Sequence, residues 1–344
     1  MFFDTQTKAR SNSLGDFHSH WLRKLTHVTA KATHVYLQLG LGKHEQLHDG
    51  QVDINASEAM PQTDKIWAPA KSNIVRAMTD LAKFTQQTVA HLCEPFEWCL
   101  VNGGQVVLED AADRGGTSGG VFATDDFLIS KYLVTNDQYS KFVTHENGYQ
   151  NVQWWAYSPE AMKWREVRKK EQETAFAGFD LPRTRVSWYE SMAFCAWLSS
   201  LLQGEVNVEA VDSWAVRLPK ELEWQRAAVG DSGTQYPWGS EPLTKARANY
   251  NNQVGKPTSV TAYPTGASPY GAMDMIGNAL QWCITAWGSN ENDISGYKTR
   301  NVRGGAWNVI DESWLTATDR GGHPPRGRLN DVGFRLTCVL PRLV

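Results

Sequence analysis

The chain has 344 residues, 41% of them hydrophobic and 21% charged, with a formal net charge of −3. That composition allows a sizeable core in one large domain or two modest ones. The slightly acidic balance argues against a general nucleic-acid binder, which needs a basic face, and no apolar run approaches membrane-spanning length.

The opening segment, 1–17, lacks the apolar core and small-residue cleavage site of a secretory leader, so a cytoplasmic location is expected. Residues 16–40 read as a helix: Phe17, Trp21, Leu25, Val28, Ala32, Val35 and Leu39 recur at three- or four-residue spacing, and Gly40 and Gly42 stop it. Residues 49–69 are polar, contain Pro61 and Pro69, and read as a loop. Helical spacing resumes over 71–93 through Ile74, Met78, Leu81, Phe84, Val89 and Leu92. "WCLVNGGQVVLED" then reads as a hairpin turning at Asn102-Gly103-Gly104. The Gly/Ser-rich stretch 113–120 is a linker candidate. A mostly helical accessory region, 1–118, followed by a second domain, 119–344, is therefore expected.

The second part begins with a short strand and a helix capped near Thr135-Asn136. A further helix starts at about Trp188, with Ser187 and Glu190 at capping-box spacing. "RLPKELEWQRAAVG" gives a shorter helix closed by Gly230. Loops and short strands make up the rest, and no repeat of fixed period is present. Five cysteines (Cys93, Cys99, Cys195, Cys283, Cys338) form an odd, scattered set and read as reduced thiols. Fifteen tryptophans point to an irregular fold held by buried aromatics, whose indole N–H groups need partners.

Eight segments occur in an order that resembles one family. They are "YLVTNDQY" (132–139), "VSWYESMAFCAWL" (186–198), "RLPKELEW" (217–224), "YPWG" (236–239), "ANY" (248–250), "YGAMDMIGNALQW" (270–282), "VRGGAW" (302–307) and "GFR" (333–335). Together they look like the formylglycine-generating-enzyme, or sulfatase-modifying-factor, domain. The resemblance covers about 119–340. It implies an α+β fold: a loop-rich, C-type lectin-like domain, here with a helical N-terminal accessory region. In that setting Trp188, Trp224, Trp238, Trp282 and Trp307 are expected to fill the core. Gly277, Gly304, Gly305 and Gly333 are expected to permit tight backbone turns. Arg303 and Arg335 are expected to bridge carbonyls or carboxylates beneath the surface.

Function must be argued at the site. The resemblance implies two copper-binding cysteines after the Gly-Gly motif in the catalytic members, and thiolate chemistry has no ready substitute. Counting from Gly304, the matching positions here are about Val309 and Trp314, neither a cysteine, so formylglycine-generating activity is not expected. A second branch, the ergothioneine-type sulfoxide synthases, binds non-haem iron through N-terminal histidines. His44 and His48 resemble that motif, with His18, His20, His27 and His34 upstream, but Gly50 stands where the motif has Glu. No cofactor is required by the leading reading. A structural Ca2+ ion is implied as an option, held by Asp274, by the carbonyls of Gly277 and Ala279, and by Gln281, which replaces the family's Glu.

The third branch is not enzymatic. It comprises the variable proteins of diversity-generating retroelements, which present a hypervariable C-terminal surface. Mutagenesis of adenines in AAC or AAT codons cannot produce Lys, Glu, Gln, Met or Trp; every residue from Leu315 to Asp331 lies within the reachable set, and the segment before it departs only at Glu312 and Trp314, which read as invariant framework positions. Arg303-Gly304-Gly305 and Gly333-Phe334-Arg335 resemble the fixed flanks of such a region, 303–335. The expected ligand-binding positions begin with Trp307, Asn308, Ile310, Asp311, Ser313 and Trp314. They continue through Thr316, Thr318, Asp319, Gly321 and Gly322 to His323, Arg326, Arg328 and Asn330. Trp307, Ile310 and Trp314 would serve as apolar anchors, and His323, Arg326 and Arg328 would meet an acidic patch. Small polar residues beside a few large ones make adaptable contacts. The expected partner is another protein or a cell-surface ligand, with no nucleic acid and no membrane insertion; association with a phage particle stays open.

Overall fold

The computed structural model describes residues 81–289, 291–294 and 297–339. They belong to the second of two compact units, Ile66–Val344. The helix expected over 16–40 and all of His18, His20, His27, His34, His44 and His48 lie outside the described residues. Of the helix expected over 71–93, residues 81–92 are described and are helical (α1).

Among the described residues the strands form three small sheets. β1 (Trp98–Val101), β4 (Phe127–Ser130) and β9 (Thr337–Val339) pair antiparallel in the order β1-β4-β9. β2 (Gly104–Leu108) and β3 (Gly120–Thr124) make a two-stranded ribbon. β5 (Leu280–Ala286), β6 (Arg300–Arg303), β7 (Gly321–His323) and β8 (Val332–Gly333) form the third sheet, ordered β7-β6-β5-β8, with β8 parallel to β5. Four further helices are α2 (Asn136–Thr144), α3 (Pro159–Val167), α4 (Trp188–Gln203) and α5 (Glu221–Val229). The α+β, loop-rich architecture agrees with the sequence expectation.

One local expectation needs correcting. β1 and β2 do not form a hairpin across Asn102–Gly104. β1 pairs with β4 and β2 with β3. Residues 113–119 of the Gly/Ser-rich stretch lie in the connection between β2 and β3, and Gly120 opens β3.

The core follows from α4, which is mostly apolar and buried from Trp188 to Ser199. Its start is fixed by the expected capping box: Glu190 N donates to Ser187 Oγ (3.2 Å) and Ser187 N to Glu190 Oε2 (2.9 Å). Thr135 caps α2 in the same way with Gln138, and Gly230 closes α5 in the left-handed region. Trp188, Phe194 and Trp197 of α4 share a core with Tyr139, Phe142, Trp282 and Phe334, all essentially buried. Complete burial of one indole removes roughly 200 Å² from water, on the order of 5 kcal/mol. Indole N–H groups find partners at Trp188 (Cys283 O, 3.0 Å), Trp282 (Val186 O, 3.0 Å) and Trp224 (Gln281 Oε1, 2.7 Å). Trp238 and Trp307 are only half-buried. The indole nitrogens of Trp155, Trp164, Trp197 and Trp307 have no hydrogen-bond partner among the described residues.

Arg303 and Arg335 do lie beneath the surface. Arg303 donates to Glu221 Oε1 (2.7 Å) and Ala317 O (2.7 Å). Arg335 donates to Gln281 Oε1 (2.6 Å), Ser130 O (2.8 Å) and Met273 O (2.6 Å). Gly304 has φ +96°, and a Cβ there would sit 2.7 Å from Met275 O, so the turn out of β6 requires glycine. No helix among the described residues is long and apolar enough to cross a membrane.

Candidate binding surface

The C-terminal segment leaves β6 through Gly304-Gly305 and is tied down at once. Gly277 N donates to Gly304 O (2.7 Å), and Trp307 N to Asn278 O (3.2 Å). Trp307 stands edge-on to Phe176, with ring centroids 5.5 Å apart. Asn308 donates from Nδ2 to Asp331 Oδ2 (3.0 Å), joining the two ends of the segment. Asn251 N and Asn252 N donate to Val309 O (2.8 Å) and Trp307 O (2.9 Å), so the loop after Tyr250 runs alongside.

Past Val309 the backbone turns outward. Ile310 is 67% exposed and Trp314 57%, with Asp311, Glu312 and Ser313 exposed between them. Asp311 accepts from Ser313 N (3.0 Å) and Ser313 Oγ (2.7 Å), and these bonds hold its carboxyl below the usual range. The chain then dives. Leu315, Thr316 and Ala317 are buried, and Ala317 N donates to Gln235 O (2.8 Å). An exposed turn between buried ends can change its side chains at small cost.

From there the segment divides into structural and exposed positions. Thr316 accepts from Asp319 N (3.0 Å) within the turn, and Thr318 and Asp319 are half-buried. Asp319 also pairs with Arg114 at 2.9 Å. Arg320 is buried against Glu221. Gly321 and Gly322 are in β7, and a Cβ on Gly322 would meet the Trp287 ring at 2.5 Å. His323 is half-buried, edge-on to Trp282 at 6.3 Å; burial pulls its pKa down and Asp331 opposes this. Pro325 is buried and its carbonyl accepts from Trp188 N (3.0 Å). Arg326 and Asn330 are exposed. Arg328 closes on Glu190 through Nε (2.9 Å) and Nη2 (2.6 Å), where Tyr149 Oη also donates (3.0 Å).

The structure therefore brings Trp307, Asn308, Ile310, Asp311, Ser313 and Trp314 together on one loop. Arg326 and Asn330 are exposed in a second stretch near the end of the segment. Thr316, Gly322 and Arg328 lie among the residues that hold the segment to the core. Two neighbours escaped the sequence reading. Phe176 supports Trp307, and the basic run Arg168-Lys169-Lys170 adjoins Arg328, whose Nη2 donates to Lys170 O (3.3 Å). The run was visible as a charge cluster, but only the fold sets it beside residue 328.

The thiols are unsuited to nucleophilic work. Burial pushes Cys93, Cys99 and Cys338 up to about 12, and Cys195 and Cys283 higher still, so none is a thiolate near neutrality. Val309, expected from the sequence to stand near one of the cysteine positions, is half-buried, and Trp314, expected near the other, is exposed.

At the expected calcium site the residues fit in part. Asp274 Oδ1 is buried and lacks a partner among the described residues, and Asn278 Nδ2 donates to Oδ2 (2.8 Å). Burial raises this carboxyl from 3.8 to about 7. Gln281, however, is fully engaged. Its Oε1 accepts from Trp224 and Arg335, and its Nε2 donates to Asp274 O (2.7 Å). Gly277 O accepts from Ala279 N (2.8 Å). Among the described residues, a hard cation would find one carboxylate oxygen here and no second anionic ligand.

Residues 85–339 match the sulfatase-modifying factor enzyme 1-like domain family. Hercynine oxygenase of Mycobacterium tuberculosis is 28% identical over 238 residues, covering 61% of this chain and 52% of that protein. The inactive C-alpha-formylglycine-generating enzyme 2 of Mus musculus is 28% identical over 213 residues, covering 55% and 59%. The chain spans about half the length of the hercynine oxygenases it matches. Among solved structures, Treponema denticola variable protein 1 superposes with a TM-score of 0.49 at 22% identity, over 71% of this chain and 95% of that one.

Proposed function

The chain belongs to the sulfatase-modifying factor enzyme 1-like domain family, and from that premise we propose that it is a non-catalytic binding protein whose C-terminal segment is its diversified ligand surface. The carrying observation is the 310–314 turn. Its side chains project from a backbone pinned on one side at Trp307 and Val309 and on the other at Leu315 and Ala317. Ile310 and Trp314 supply exposed apolar anchors, and Asp311 and Ser313 supply polar contacts. Val309 and Trp314 at the cysteine positions remove the thiols that formylglycine generation uses. The restricted residue set from Leu315 to Asp331 supports diversification by adenine mutagenesis.

A second reading has support in the hercynine oxygenase relatives. It makes the chain an iron-dependent sulfoxide-synthase-like enzyme using His44 and His48. A third, a pseudoenzyme with a fixed partner, has support in the inactive formylglycine-generating enzyme relatives. Sequencing the DNA around the coding region separates them. Diversification requires a nearby reverse transcriptase gene and an adenine-bearing near-copy of the region for 303–335. Their absence removes the leading reading. Stoichiometric iron bound through His44 and His48 in the purified protein would favour the second.

A further inference from the structure

We propose that the surface around Trp164 and Arg326 docks an acidic peptide segment of a partner protein; this rests on the binding reading and names the chemistry of its partner. The helix α3 ends at Arg168, whose carbonyl accepts from Arg165 Nη1 (3.1 Å). Lys169 and Lys170 follow, and Arg328 holds the run from the other side through Lys170 O. One indole organises the charges: the Arg328 and Arg168 guanidinium carbons lie 4.8 and 5.9 Å from the Trp164 ring centroid. Trp164 is 8% exposed, and its Nε1 has no partner among the described residues. Tyr189 is tilted on Trp164 at 5.7 Å. Burial raises its hydroxyl pKa; Arg300 opposes the rise most and Arg326 least, while Glu160 adds to it.

Most arginines of this fold are buried and committed, as at 217, 303, 320 and 335. Arg168, Lys169, Lys170 and Arg326 are different: all four are exposed, and among the described residues none makes an ion pair. Neighbouring acids are mostly taken, Glu190 by Arg328 and Glu171 by Arg183. Glu166 and Glu173 remain exposed along the same run. The result is a local cationic surface on a chain of net charge −3. The exposed glutamates would repel a uniformly charged polyanion such as a nucleic-acid backbone. A peptide with spaced carboxylates can meet the cations and miss the glutamates. Arginine suits this task because its planar fork binds carboxylate at two points, and opposite potentials speed encounter.

The test uses the full chain and a short fluorescent peptide of alternating Glu and Ser, with an all-Ser peptide, single-stranded DNA and phosphatidylserine vesicles as comparisons. The acidic peptide alone is expected to bind, with affinity that weakens as salt rises. The combined substitutions Lys169→Glu, Lys170→Glu and Arg326→Glu should weaken it by more than about tenfold. Lys245→Glu with Lys256→Glu should leave it unchanged. Matching melting curves establish that the variants fold. No binding of the acidic peptide, equal binding by the charge-reversed variant, or tighter binding of DNA or vesicles each overturns the proposal. Variation of the C-terminal segment among isolates is read independently, so failure here is distinct from failure of the diversification reading.

Discussion

Arg320 meets Glu221 at two points, Nε to Oε1 and Nη2 to Oε2, both at 2.8 Å, with each side chain 1% exposed. Arg303 reaches the same carboxylate from the other side and Asn301 Nδ2 completes it (2.8 Å). Part of the segment expected to vary thus anchors the fold. Removing Arg320 leaves Glu221 held by Arg303 and Asn301 but loses charge-assisted hydrogen bonds at a buried carboxylate, which costs about 1.5–3 kcal/mol. Arg320→Ala is therefore expected to lower unfolding free energy by that amount in urea titration. Ser313→Ala, on the exposed turn, should change it by no more than about 0.5 kcal/mol. Equal effects at both positions would contradict the division of the segment.

Asp274 sets a pH dependence. Folding raises its carboxyl from 3.8 to about 7 through burial, against the opposing hydrogen bond from Asn278 and the nearby Arg335. Between these values the folded chain holds a proton that the unfolded chain has lost. Its contribution is present below about 4 and is lost as pH rises toward 7. Asp274→Asn keeps an oxygen for Asn278 and tolerates the local φ of +52°. It should flatten the fall in melting temperature across that window, worth at most about 4 kcal/mol. Glu221 and Glu223 act in the opposite direction. Burial pushes both up, but their arginine partners outweigh it and hold them below 4.5, so their contribution is lost on acidification. An unchanged pH profile in the Asn variant would refute the assignment to Asp274.

The thiols give a third expectation. With all five raised by burial, Ellman's reagent at pH 8 should label the native protein slowly, beginning at half-exposed Cys93, and label all five after denaturation. Rapid modification of the native chain would reveal an activated thiolate and reopen cysteine chemistry.

Calcium is the fourth. Because Gln281 is committed to Trp224, Arg335 and the Asp274 carbonyl, added Ca2+ should move the melting temperature at pH 7.5 no more than Mg2+ does. A saturable, calcium-specific rise abolished by Asp274→Asn would show that Gln281 releases these partners to join the site.

What was legible in the sequence was local or repeated. Ser187 and Glu190, Thr135, and Gly230 mark helix ends within one turn, and the structure uses each that way. The eight ordered segments carried the fold. The hairpin reading failed because Asn102-Gly103-Gly104 has turn chemistry, yet Gly103 serves a close approach. Its N–H donates to Asp126 Oδ1 (2.7 Å), and a Cβ would sit 2.4 Å from Thr124 O. Arg320, Arg326 and Arg328 look alike within the segment. One is buried, one exposed and one paired, because their partners lie far away: Glu221 is 99 residues from Arg320 and Glu190 is 138 from Arg328. Spacing within a segment carries no trace of such contacts.

Sequencing the coding region for 303–335 across many isolates tests the central claim most directly. Substitutions should concentrate at adenine-bearing codons for exposed positions such as Ile310, Asp311, Ser313, Arg326 and Asn330, while Arg303, Ala317, Arg320, Pro325 and Gly333 stay fixed. An invariant segment, or changes spread evenly over exposed and buried positions, would contradict a diversified binding surface.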